Sequence, residues 1–164
     1  MRNHAIKYKS PFGIITIQEK DGAISKIYLP NQEPNDIVTV VGVGSSRPES
    51  ELLSRAKTQL NEYFDGKRKI FDLTLNFDDC GAFYIKVYRE LLKIPYGETA
   101  SYKDIAERSG SPKSYRAVGM ANNRNPLPII VPCHRVIGSG GKLVGYAGGI
   151  DMKVKLLELE KNNL

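Results

Sequence analysis

Residues 101–136 read SYKDIAERSGSPKSYRAVGMANNRNPLPIIVPCHRV, and the punctuation of this stretch decides the fold of the second half of the chain. Ser101 with Asp104 three residues on is a capping-box signature, so a helix is expected over about 102–109, with Ile105 and Ala106 inward and Gly110 as its stop. Ser111-Pro112 reads as an N-cap followed by proline at the first helical position, opening a second helix over about 112–122. Asn125-Pro126-Leu127-Pro128 ends that helix, because a residue before proline is pushed out of the α region. Ile129-Ile130-Val131 then reads as a buried β-branched strand leading into Pro132-Cys133. Two short helices joined by a tight glycine-containing turn outline a helix-turn-helix; an ordinary helical hairpin is the plainer reading of the same outline.

Working outward, a helix is expected over 83–94, ending at Pro95-Tyr96-Gly97, and another over 151–159 beyond a glycine-rich loop at 138–149. The first half begins with strands at 4–8, 13–18 and 23–29, separated by Ser10-Pro11-Phe12-Gly13 and Asp21-Gly22, a meander. Residues 31–50 are polar except for a short strand candidate at 37–41. Leu52, Leu53, Ala56, Leu60, Tyr63 and Phe64 then share one face of a helix over 50–64, stopped by Gly66, and 71–75 is a short alternating segment. The composition shifts at Asp78-Asp79, so the division is drawn as 1–79 and 80–164. The fold class is α+β: a small antiparallel sheet with a helix, followed by a mostly helical lobe.

Charge follows the same division. The net charge of +6 lies wholly in residues 80–164, with 13 basic and 7 acidic residues, while 1–79 is balanced at 11 of each. This asymmetry favours a polyanionic partner for the second half. No apolar run is long enough to span a bilayer, and the opening Met1-Arg2-Asn3-His4 runs straight into a strand pattern, so no secretory signal or membrane is expected and a cytoplasmic setting is the default. The two cysteines, Cys80 and Cys133, and two histidines, His4 and His134, have no zinc-site spacing, so neither a metal nor another cofactor is expected; Cys80 reads as a packing residue.

Cys133 stands out because a thiol placed between a DNA-reading motif and a glycine loop can itself be a reagent. In an extended segment Cys133 and His134 would face opposite ways, so a bent segment or a bridging water is needed for the imidazole to act on the thiol. A third group must orient that imidazole, and Glu160 on the last helix is the candidate.

The runs Pro95-Tyr96-Gly97-Glu98-Thr99-Ala100-Ser101-Tyr102, Arg116-Ala117-Val118-Gly119, Asn125-Pro126, Pro132-Cys133-His134-Arg135-Val136, Gly145-Tyr146-Ala147-Gly148-Gly149 and Leu156-Leu157-Glu158-Leu159-Glu160 together resemble the O6-alkylguanine-DNA alkyltransferase family. The resemblance is close over 83–160 and weaker over the first half, where Glu62-Tyr63-Phe64, Gly66-Lys67-Arg68 and Phe71-Asp72-Leu73 are similar. It implies a ribonuclease-H-like first lobe and a winged-helix-like second. It also implies irreversible, once-only transfer of an alkyl group from O6 of guanine in double-stranded DNA to Cys133, with O4-methylthymine as a second candidate lesion, by a monomer. His134 would act as base through a water, oriented by Glu160, and Asn125 would be the hinge between recognition helix and thiol.

By the same resemblance Arg116 would enter the base stack as the lesion flips out, and Tyr102 would press the 3′ phosphate and donate to the guanine. Ser101 and Arg124 would add DNA contacts, and Ala117 and Ala121 would ease the helix into the minor groove. The backbone at Cys133 and Val136 would accept from the exocyclic amine, and that near Ala147 would donate to O6. The chain departs from the pattern in four places. Ala147 replaces a serine of some members, Tyr115 is bulkier than a frequent alanine, Tyr84 and Tyr88 replace Gln and Trp, and the zinc ligands of some first lobes are missing. Three rival readings are an alkyltransferase-like module without chemistry, a thiol hydrolase and a redox-sensing regulator.

Overall fold

The computed structural model describes residues 3–34, 39–42 and 44–164 and divides the chain into two compact units, Met1–Phe77 and Asp78–Leu164. Met1 and Arg2, where the absence of a leader was read, and Ile37 and Val38 of the short strand candidate, lie outside the described residues.

In the first unit, β1 (Asn3–Ser10), β2 (Gly13–Lys20) and β3 (Ala23–Tyr28) form the expected antiparallel meander. Gly13 and Gly22 sit at positive φ in its two turns, where a side chain would be strained. The sheet is mixed rather than purely antiparallel, because β4 (Thr39–Val40) pairs parallel to β1, with His4 opposite Thr39 and Ala5 opposite Val40. A parallel neighbour needs a long connection, and β2 and β3 both lie between β1 and β4 in sequence. α1 (Glu51–Phe64) starts at the N-cap Ser50, whose hydroxyl oxygen accepts from the Leu53 N–H. Its buried Leu53, Ala56, Leu60 and Tyr63 belong to a core that also holds Ile15, Ile17, Ile24 and Ile27. The alternating segment at 71–75 is not a strand of the sheet. Leu75 makes a single bridge to Ile24, and Gln59 of α1 holds the backbone of Asp72 through two hydrogen bonds of 3.1 and 2.9 Å.

The second unit is mostly helical, and the α+β class holds. α2 (Ala82–Leu91) ends three residues before the expected Ile94, because Lys93 and Ile94 tighten into i→i+3 bonds ahead of Pro95. Pro95 to Glu98 close a turn whose third residue, Gly97, has φ +80°. β5 (Ala100–Ser101) then leads into α3 (Tyr102–Arg108), and the Ser101–Asp104 capping box is complete, with both bonds at 3.0 Å.

α4 (Tyr115–Asn123) starts later than the sequence suggests. Ser111-Pro112 opens a β-turn, closed by the Ser114 N–H on the Ser111 carbonyl, instead of capping the helix; proline at the second turn position is equally well set by its fixed φ. The β-branched run at 129–131 is buried but is not a strand: Ile129 has φ +76°, and the Val131 N–H returns to the Leu127 carbonyl at 2.8 Å. β6 (Val136–Ile137) pairs parallel to β5, which sets Ala100 opposite Val136. α5 (Ile150–Asn162) closes the chain, longer at both ends than expected. Among the described residues no helix is long and apolar enough to cross a membrane.

Candidate active site around Cys133

The thiol segment is bent. Residues Cys133–Arg135 form one 3-10 turn, held by the Arg135 N–H on the Pro132 carbonyl, so neighbouring side chains diverge by about 120° rather than 180°. Two asparagines tie this turn to α4. Asn122 donates to the Cys133 carbonyl at 3.1 Å. Asn125 donates to the Val131 carbonyl and accepts from the Leu127 N–H, each at 2.9 Å, which locks the turn that brings the chain back to Cys133.

Behind the thiol lies a charged cluster with almost no solvent access. His134 and Glu160 are fully buried and Arg135 is nearly so. The Glu160 carboxylate receives four hydrogen bonds. Oε1 accepts from Arg135 Nε at 2.8 Å and from the Gly97 N–H at 3.0 Å. Oε2 accepts from Arg135 Nη2 at 3.1 Å and faces His134 Nε2 at 2.5 Å. Gly97 takes φ +80° in the turn that presents this N–H. Arg135 also donates to the Ile94 carbonyl at 2.7 Å, so its fork is used on two sides.

Burial alone would raise the Glu160 pKa, but the hydrogen bonds and charges of His134 and Arg135 hold it well below the usual carboxylate range. An ionised carboxylate can only accept, so Nε2 of His134 carries the proton and Nδ1 keeps the lone pair. Burial pushes the His134 pKa down, which keeps the imidazole neutral, the form a general base needs. Burial also pushes the Cys133 thiol up to about 11; the Asn125 side chain, the Lys153 charge and the N–H groups of Cys133 and His134 act in the opposite direction. The resting sulfur is therefore a protonated thiol, surrounded by the groups that would receive a thiolate.

Lys153 was missed in the sequence. It is fully buried, and its ammonium donates to the carbonyls of Val136 at 2.6 Å, Val144 at 3.1 Å and Gly145 at 3.3 Å. One side chain of α5 thus pins the glycine-rich loop to β6. Helical spacing carries the signal that would have found it, since Lys153, Leu156 and Glu160 fall at i, i+3 and i+7 on one buried face.

Of the other expected site residues, Tyr102 donates from its hydroxyl to the Val144 carbonyl at 3.2 Å, and burial followed by the nearby Cys133 raises its pKa. Ser101 spends its hydroxyl on the α3 cap. Arg116 and Arg124 are exposed on and just after α4, Ala117 is half-buried, and Ala147 is exposed. Ala121 is a correction: its side chain is fully buried and its carbonyl accepts from the buried Tyr88 hydroxyl at 2.8 Å, so it packs inward instead of facing a groove. The Val136 side chain is buried, and its carbonyl already serves Lys153. Beside Tyr102 is a depression of about 410 Å³, lined also by Lys103, Tyr115, Gly119 and Ser139. That volume is within the usual range of ligand sites.

Two family models match the chain: the 6-O-methylguanine DNA methyltransferase DNA-binding domain over residues 82–162 and the ribonuclease-like domain of the same proteins over 3–77. The chain is 44% identical over 160 residues to the constitutive methylated-DNA--protein-cysteine methyltransferase of Bacillus subtilis, covering 97% of this chain and 96% of that one. It is 45% identical over 161 residues to the methylated-DNA--protein-cysteine methyltransferase of Methanosarcina mazei, covering 95% of this chain and 96% of that one. A crystal structure of Mycobacterium tuberculosis OGT in complex with DNA is similar at a TM-score of 0.86 and 43% identity, covering 98% of this chain and 94% of that one.

Proposed function

The chain belongs to the 6-O-methylguanine DNA methyltransferase family, and from that premise we propose that Cys133 is the acceptor sulfur, activated by His134 and Glu160. The activity is that of a methylated-DNA--protein-cysteine methyltransferase: DNA is repaired directly, by moving an alkyl group from the O6 oxygen of guanine to a cysteine of the protein itself. The observation that carries the assignment of residues is the Glu160 carboxylate, whose four donors fix the tautomer of His134 next to Cys133.

The reaction needs a thiolate that the resting protein does not hold. Nδ1 of His134 takes the thiol proton through a water, and Glu160 stabilises the imidazolium. The sulfur then attacks the alkyl carbon in line. The S–C bond forms as the O6–C bond breaks, and the electron pair of that bond stays on guanine. A backbone N–H near Ala147 and the Tyr102 hydroxyl donate to the base as this charge develops, and the proton lost by the thiol balances the guanine product. The thioether has no route back to a thiol, so each molecule reacts once.

Access requires the damaged base to leave the stack, because its O6 substituent cannot meet a thiol inside a duplex. Arg116, exposed at the start of α4, would fill the space left behind, with Ala117, Arg124, Ser101 and Tyr102 along the DNA strand. The partner is therefore duplex DNA carrying O6-alkylguanine, read by residues 80–164 of a monomeric, cytoplasmic protein that needs no cofactor. The rates of Arg116→Ala on a damaged duplex and on free O6-benzylguanine test this. Loss of at least roughly tenfold on the duplex, about 1.4 kcal/mol of barrier, with the free base unaffected, is expected. Equal slowing on both removes the flipping role.

A further inference from the structure

A second basic surface lies between α2 and α3, apart from the residues around Cys133. The ends of these helices border a depression of about 580 Å³ whose lining includes Lys86, Arg89, Lys93, Arg108 and Ser109. Its one carboxylate, Glu90, is held by Lys93 at 2.8 Å. Lys86, Arg89 and Arg108 are exposed and form no salt bridge among the described residues. Arg89 and Arg108 stand in the last turns of their helices, where a cation offsets the helix dipole. That local role leaves Lys86 unexplained, because it lies a turn earlier.

Ser109 gives an independent observation. It lines the same depression, is 8% exposed, and its hydroxyl has no hydrogen-bond partner. Buried hydroxyls are ordinarily satisfied, so one left over beside a cationic depression points to a missing acceptor, which a turn of the Ser109 side chain would reach. The arrangement also suggests which acceptor. Lys86 and Arg89 lie three residues apart on α2, and Lys93 follows in the turn just after it, so the three cations span about 10 Å, or about three base-pair rises of a DNA strand. No aromatic side chain lines the depression, so nothing there would stack on a base.

We propose that this groove is a second DNA contact, which takes the phosphodiester backbone of the duplex beyond the damaged base pair. Lys86, Arg89 and Arg108 neutralise phosphate oxygens, and the Ser109 hydroxyl donates to one of them. The proposal rests on the reading that the chain acts on duplex DNA and adds a surface that affects affinity without affecting alkyl transfer.

The test uses the full chain carrying Arg89→Gln with Arg108→Gln, and a control carrying Lys155→Gln with Lys161→Gln, which removes the same charge from exposed positions of α5. Affinity for undamaged duplexes of about 24 and about 8 base pairs is measured across a salt series. Each lost phosphate contact lowers the slope of log K against log salt by about 0.9, so the groove variant should lose about 1.8 on the long duplex and little on the short one. The control should keep the wild-type slope, and Ser109→Ala should weaken long-duplex binding at unchanged slope. All variants should react with free O6-benzylguanine at the wild-type rate. Equal loss in groove and control variants, or loss in neither, overturns the proposal. A wild-type protein that shows no salt-dependent duplex binding instead overturns the DNA reading beneath it.

Discussion

The two units bury different chemistry. Among the described residues of Met1–Phe77 the buried polar side chains are neutral: Ser10, Thr16, Gln18, Ser25 and Gln59. Inside Asp78–Leu164 the interior holds His134, Arg135, Lys153 and Glu160, which are all the buried ionisable acids and bases other than cysteine and tyrosine among the described residues. Desolvating charges opposes folding unless every one finds a partner, and a well-packed apolar replacement is often at least as stable. The charges of the second unit find partners next to Cys133, as the proposed roles of a neutral base, a fixed carboxylate and a pinned loop would require.

Removing a partner should break this contrast most sharply. Glu160→Ala leaves the Arg135 guanidinium and the His134 ring without their acceptor, and a loss of about 3–5 kcal/mol is expected from denaturant unfolding, together with loss of alkyl transfer. The matching cut in the first unit is Gln59→Leu, which removes two hydrogen bonds to the Asp72 backbone. It should cost about 1–2 kcal/mol and leave the transfer rate unchanged. Comparable stability losses and intact transfer in both variants would erase the difference between the units.

Acid provides a gentler probe. His134 has a folded-state pKa below its ordinary 6.5, and Glu160 one far below its ordinary 4.5. For both groups the unfolded chain takes the proton first. Their contribution to stability is therefore complete above about pH 6.5 and is lost as pH falls, first through the His134 window and then, below about 4.5, through that of Glu160. The melting temperature should decline between pH 7 and 5, by the equivalent of at most about 1.4 kcal/mol per unit for one group, and more steeply below 4.5. A flat profile from pH 7 to 4 would mean that the cluster is not coupled to folding.

Local signals were the ones that could be read from the chain. The capping box at Ser101, the apolar face of α1 and the meander turns depend on residues a few positions apart, and the structure forms them as expected. Signals with two local solutions were misread. Ser111-Pro112 suits a β-turn as well as a helix start, and the run at 129–131 reports burial without revealing that Ile129 turns the chain at positive φ. What depends on distant returns of the chain was not legible from residue patterns alone. The parallel partner of β1, the three carbonyls around Lys153 and the Gly97 N–H on Glu160 each join segments far apart in sequence. Glu160 was a candidate partner of His134 from its place on the last helix, and the family resemblance, which summarises such long-range contacts, gave the same pairing.

One sulfur, protonated at rest, is proposed to be consumed in use. Incubating the protein with an excess of duplex containing a single O6-methylguanine, followed by intact-mass measurement and peptide mapping, tests it most directly. The account predicts one added methyl group per molecule, on the peptide bearing Cys133, and none on Cys133→Ala. Repeated turnover with an unmodified thiol, or a methyl group on Cys80, would contradict it.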